Sequence, residues 1–164
     1  MKKRPHQNRR GAMAVLLAVM LIVLFAFLAF AVDLGNVYVT RSQLQNAADA
    51  AALAGAQQLA EGESATTARQ VAVDFAKLNE PDNGNVLVTG DVTIGVWHNE
   101  TRGFSATLSN PNAVQVVVRR DGTNTAAVAT SFARLFGIDS TKVTATSIAT
   151  FKITGSTIDY DFVE

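Results

Sequence analysis

Between Ala12 and Val32 the chain carries 21 consecutive residues without a charge, almost all of them Ala, Val, Leu, Ile, Met or Phe. As a helix rising about 1.5 Å per residue, this run is about 31 Å long, close to the hydrocarbon thickness of a bilayer. It has no polar side, so it does not suit the surface of a water-soluble domain. Lys2, Lys3, Arg4, Arg9 and Arg10 precede it and Asp33 follows it. That asymmetry predicts an N-terminus held in the cytoplasm and a C-terminal part carried outside. Asp33 then reads as a boundary residue at the outer interface, where a carboxylate reaches water. Ala29-Phe30-Ala31 fits the A-x-A pattern of a cleaved secretory signal. The apolar run, however, exceeds the about 7–15 residues usual for such signals, and helical sequence continues straight through the site. The expectation is an uncleaved anchor, with a basic tail over 1–11, a transmembrane helix over 12–32, a helical extension over 33–60 and an outer domain over 61–164.

The formal net charge is zero, from 14 basic and 14 acidic residues. The five tail residues account for much of the basic half. From Asp33 onward nine basic residues face fourteen acidic ones, a balance of −5. A mildly acidic outer domain has no electrostatic footprint for nucleic acid. There are no cysteines, which excludes structural disulfides, thiolate metal sites and covalent haem attachment. The outer part must hold together by packing.

Beyond Asp33, Leu34, Val37, Leu44, Ala48, Ala51, Gly55 and Leu59 recur at three- and four-residue steps along one helical stripe, with no proline to break it. Continuation of the membrane helix to Ala60 would make a single rod, with Gly35-Asn36 as the expected bend. Past residue 46 the stripe is mostly Ala and Gly, which lets another element approach closely. That element is either the chain's own sheet or another subunit.

The blocks Arg10-Gly-Ala-Met-Ala-Val, Ala31-Val-Asp-Leu-Gly-Asn-Val-Tyr and Leu44-Gln-Asn-Ala-Ala-Asp-Ala-Ala-Ala-Leu-Ala-Gly-Ala56 together resemble the N-terminal region of the TadE/TadG-like proteins of bacterial tight-adherence (Flp) pilus assembly systems. The resemblance covers about residues 9–60. Val96-Trp97, Asn112-Ala113-Val114 and Phe132-Ala-Arg-Leu-Phe-Gly137 are similar, more loosely, to further stretches of short members of that group. It implies a bacterial inner-membrane protein without catalytic activity or cofactor, working with other pilus-assembly or pilin-like subunits, copies of itself among them. Pilin-like members cut by a prepilin peptidase carry Gly at the cut and Glu five residues on. Here Gly11 supplies the Gly, but the fifth residue after it is Leu16, so the processing pattern at Gly11 is incomplete. Larger members resemble von Willebrand A-type adhesion proteins, with a D-x-S-x-S metal motif. Asp139-Ser140-Thr141 does not match it, and metal-dependent adhesion is not implied.

In the outer part, Ser64 or Thr67 is placed to cap a second helix, Thr67 with Gln70 having capping-box spacing. Ala68, Val71, Ala72, Phe75 and Leu78 form its apolar face, and Glu80-Pro81-Asp82-Asn83-Gly84 ends it. Val86–Thr89 and Val92–Trp97 flank Gly90-Asp91 as a hairpin. Phe104–Leu108 adds a strand, and the β-branched run Ala113–Arg119 reads as a strand buried on both faces. Ala126–Phe136 reads as a helix closed by Gly137. Val143–Ile153 alternates, with Val143, Ala145, Ser147, Ala149, Phe151 and Ile153 on one face. The last residues, Ser156–Glu164, form an edge strand, a docking tail or a frayed acidic end. The predicted class is α+β: a single N-terminal transmembrane helix continuing into a long helix packed on a small, largely antiparallel sheet, in pilin-like outline.

Chemistry is sparse. His6 and His98 fall on opposite sides of the predicted membrane, and His98 has no nucleophile context around it. Asp82, Asn83, Asn85 and Asp91 depart from calcium-loop spacing and lack the closing bidentate Glu. Asn99-Glu100-Thr101 matches a glycosylation sequon and marks an exposed loop. The function expected is therefore a non-enzymatic, membrane-anchored component of a Flp-type pilus or related envelope assembly. It would act by helix packing through Leu44, Ala48, Ala51, Gly55 and Leu59. The alternative is a monomeric ligand-binding or sensory domain on a membrane anchor, favoured if the chain's own sheet covers that stripe or if polar groups converge on a pocket.

Overall fold

The computed structural model describes residues 9–79, 87–122, 125–154 and 157–163. Lys2, Lys3, Arg4 and His6, the turn over 80–84 and Asn85 lie outside the described residues. Helix α1 spans Arg9–Ala60 without interruption, a rod of about 78 Å. The expected bend at Gly35-Asn36 is absent from its hydrogen-bonding pattern, which is helical throughout. The rod has two environments. Over residues 11–32 its side chains are exposed all round, and from Leu44 to Ala56 one side becomes the core of the domain.

Helix α2 (Ala65–Leu78) folds back against α1. Ser64 is its N-cap, its Oγ accepting from the Thr67 N–H at 3.1 Å; Thr67 lies inside the helix rather than capping it. The buried face is Ala68, Ala72, Val73 and Ala76, while Phe75 and Leu78 face outward. The expected face is thus rotated toward its smallest residues. Close packing against the Ala/Gly side of α1 leaves no room for a phenyl ring.

Five strands form one sheet in the order β2-β1-β3-β6-β7, every neighbouring pair antiparallel: β1 (Val92–His98), β2 (Gly103–Ala106), β3 (Ala113–Arg120), β6 (Val143–Thr154) and β7 (Thr157–Val163). The short strands β4 (Val128–Ala129) and β5 (Ser140–Thr141) pair separately. Register puts Val92 and Ile94 of β1, Val114, Val116 and Val118 of β3, and Val143, Ala145, Ala149 and Phe151 of β6 on one face, all buried under the two helices. On the other face of β3, Gln115 and Val117 are only half-buried, so this strand is fully buried on one face rather than two. Ile153 continues the β6 pattern but runs past the helices and is exposed. The C-terminal residues form the edge strand β7.

Two sequence expectations fail. Gly90-Asp91 is not a hairpin turn. Thr89–Asp91 is a short 3₁₀ turn, and Leu87 and Val88 before it are not in a strand. Leu87 instead plugs the core, and the Asp91 carboxylate accepts from the Val88 N–H at 3.4 Å and pairs with Arg119 on β3. Ala126–Phe136 is not a helix. It is β4 followed by a 3₁₀ turn at Ala133–Phe136, which Gly137 closes at φ 81°. Tertiary partners override a modest helical preference there, and those partners centre on Asp33.

Candidate functional site: the Asp33 clasp and the outward side of the long helix

Asp33 stands one residue beyond the apolar run. Instead of facing water it is 8% exposed. Its carboxylate accepts three backbone N–H groups from the segment after β4: Ser131 at 2.9 Å, Phe132 at 2.9 Å and Ala133 at 2.8 Å. These are free donors at the start of a 3₁₀ turn, and an anion is the partner they favour. The amides of Ala133 and Ser131 draw the Asp33 pKa below the ordinary carboxylate range, with Phe132 adding to the effect and burial opposing it.

The stems of the clasped loop are closed as well. Val128 pairs with Thr141 and Ala129 with Ser140, and the Thr130 N–H donates to the Asp139 carbonyl at 3.1 Å. The Thr130 hydroxyl donates to the Ile138 carbonyl, and Ile138 N–H reaches back to Ala133 O at 3.1 Å. Residues 128–141 thus form a tied hairpin whose tip is held on α1 by one carboxylate.

The Ala/Gly stripe lies elsewhere. Leu44, Ala48, Ala51 and Gly55 are buried by α2, β3 and β6, and Leu59 packs half-buried at the margin of the same cluster. A Cβ on Gly55 would sit 3.2 Å from Val114 Cγ1 and 3.4 Å from both Ala72 Cβ and Ala68 O. Of the two partners the sequence allowed, the chain's own fold takes the stripe. The side of α1 left open is formed by Leu34 and Tyr38, with Tyr38 76% exposed, and it continues into the bare apolar run. Gly11 is exposed in the first turn of the described helix, with nothing near it. Arg9 and Arg10 open α1, but their side chains are not among those described.

Stretches widely separated in sequence meet in pairs. Asp33 of Ala-Val-Asp-Leu-Gly holds the N–H groups of Phe132 and Ala133, and Gly55 touches Val114. Asn112 joins Trp97: its Oδ1 accepts from Trp97 N–H at 2.8 Å where the β1–β3 ladder stops. His98 is exposed at the end of β1, and Asn99 stands in the exposed turn after it. Asp91 is committed to Arg119. Among the described residues no group of three or more His, Asp or Glu is arranged around a metal-sized space. An open cleft of about 500 Å³ between α1 and the β4 segment is lined by Asn36, Val39, Thr40, Gln43, Arg120 and Ala126–Ala129. The Thr40 hydroxyl is already bonded to the Asn36 carbonyl at 2.9 Å.

The clasp leaves little trace in the sequence because its donors are backbone groups 98–100 residues away. The only signal was an acidic residue set directly against an apolar run.

Residues 11–58 match the family model of TadE/G-like Flp pilus-assembly proteins, and residues 54–149 match that of Tad-like Flp pilus-assembly proteins. No curated protein and no solved structure gives a match. The second model alone spans more than half of the chain, and the two meet at the Gly55 packing site. The chain belongs to the Tad-like Flp pilus-assembly family.

Proposed function

We propose that this protein is a non-enzymatic, single-pass membrane component of a Flp-type pilus assembly, its N-terminus in the cytoplasm and its α+β domain outside the inner membrane. Residues 12–32 span the bilayer. The observation that carries this reading is the division of α1: one unbroken helix is bare and apolar over 11–32, and buried as the domain's own core from Leu44 onward. A bare apolar surface of that length is stable only in lipid or against other apolar helices. The basic residues before it set the orientation. Helix packing with other subunits runs along the open side of α1, through Leu34 and Tyr38, because the Ala/Gly stripe is occupied within the chain. A monomeric ligand-binding or sensory domain keeps one observation in its favour, the closure of that stripe by the chain's own fold.

Cross-linking and mass spectrometry on protein taken from its native membrane separate these readings. An N-terminus ahead of Ala12, with cross-links from α1 to other helical subunits, is the expected result. A start at Ala12 would identify a processed subunit despite Leu16. A start near Val32 with no partners would reject the anchored-assembly reading.

A further inference from the structure

The hairpin tip held by Asp33 carries more exposed apolar surface than its clasp needs. Leu135 is 81% exposed, Phe136 82%, Ile138 53% and Phe132 40%, all within one tied turn. Such bulky side chains are seldom left in water together on a small domain. Their position follows from the path of the hairpin along α1. Residues 126–129 lie beside Asn36, Val39, Thr40 and Gln43, and residues 131–133 then bond to Asp33. Over those few residues the hairpin runs along the rod from the level of residues 36–43 to Asp33, toward the apolar run. The tip arrives one residue from Val32, where the bare apolar surface begins.

We propose that the Phe132–Ile138 turn is a second membrane contact, a wedge that lays Leu135, Phe136 and Ile138 into the outer interface of the bilayer. This rests on the reading of residues 12–32 as a membrane span. Lipid is the occupant because the turn hangs from Asp33, one residue beyond the bare apolar surface of α1, at the level where the hydrocarbon ends. Side chains of this kind bury by several ångströms at a headgroup boundary. Arg134, within the same turn and largely exposed, donates its Nε–H to Asp139 at 3.1 Å and keeps its terminal guanidinium N–H groups for the phosphate level. Asp33 is the positioning residue: it satisfies the turn's amides, which would otherwise have to be hydrated at the membrane edge, and fixes the depth of the tip. The domain is thereby held against the membrane at two points rather than swivelling on one helix.

Because the chain has no cysteine, single nitroxide labels are unambiguous. The full chain, carrying Leu135→Cys or Phe136→Cys, is labelled in vesicles of phosphatidylcholine and phosphatidylglycerol. Its accessibility to oxygen and to a water-soluble nickel chelate is compared with labels at Phe27→Cys in the span and Asn99→Cys in an exposed turn. The expected result is an oxygen-to-nickel ratio at 135 and 136 several-fold above that at 99 and close to that at 27. Addition of Asp33→Ala to the Phe136→Cys chain should move its label toward the ratio at 99. A lipid-like ratio at 27 with a water-like ratio at 136 would overturn the wedge and leave the anchor standing. A water-like ratio at 27 would overturn both. Shielding of the 136 label from both quenchers would also overturn the wedge, in favour of a protein neighbour.

Discussion

Three backbone N–H groups converge on the Asp33 carboxylate at 2.8–2.9 Å, and that convergence makes one side chain answerable for the path of a whole hairpin. A carboxylate at the edge of an apolar helix looks like a stop signal, and the sequence supports no stronger reading. Its real partners are amides, which carry no residue identity, so no pattern of side chains announces them. The clasp is strongest with the carboxylate ionised. Its folded pKa lies below the unfolded one, so its contribution is fully present above the ordinary carboxylate range. It is lost as pH falls through the depressed folded value. Hydrogen exchange at Ser131, Phe132 and Ala133, corrected for intrinsic rates, should therefore stay protected at neutral pH and open only in acid. Asp33→Ala should leave the same amides unprotected at every pH. Protection surviving in Asp33→Ala would show that the hairpin is held by something else.

Among the elements, α1 and β6 were the most legible, because each carries a long run of one period. β6 alternates over Val143–Phe151 and buries every second residue. α1 is helical from end to end, its second half marked by small residues at helical spacing. α2 was legible as a helix but not in its orientation. Phe75 and Leu78 advertise an apolar face, yet Ala68, Ala72 and Ala76 are the residues that fit against Gly55 and Ala51. Segments 87–91 and 126–136 depart from their local preferences because long-range partners, Arg119 and Asp33, outweigh them. The same packing fixes what enlargement of the stripe does. Gly55→Leu would drive a side chain into Val114, Ala68 and Ala72, and overpacking of this kind costs about 1–3 kcal/mol or more. Thermal unfolding in detergent should show a clearly lowered transition, while carbonate-resistant membrane association persists, since the apolar run is untouched. An unchanged transition would mean that α1 and α2 do not pack as described.

At the scale of the whole molecule, the α+β class, the antiparallel sheet and the long N-terminal helix could all be read from the residues, and the Ala31–Tyr38 and Leu44–Ala56 blocks hold contact points, Asp33 with the 131–133 turn and Gly55 with α2 and β3. What could not be read was which side of α1 is open. A one-dimensional stripe shows which residues share a face. It does not show whether the chain's own strands or a neighbour will cover that face, because this depends on where 100 later residues return. The structure divides the rod into a core side bearing Ala48, Ala51 and Gly55 and an open side bearing Leu34 and Tyr38. The open side is where subunits of a helical assembly would meet. Oxidative cross-linking of single-cysteine chains in native membranes reads that division directly. Tyr38→Cys is predicted to give intermolecular disulfide-linked species, and Ala51→Cys to give none in the folded protein. Cross-links through position 51 but not 38 would contradict the account, placing the Ala/Gly stripe between subunits rather than inside one.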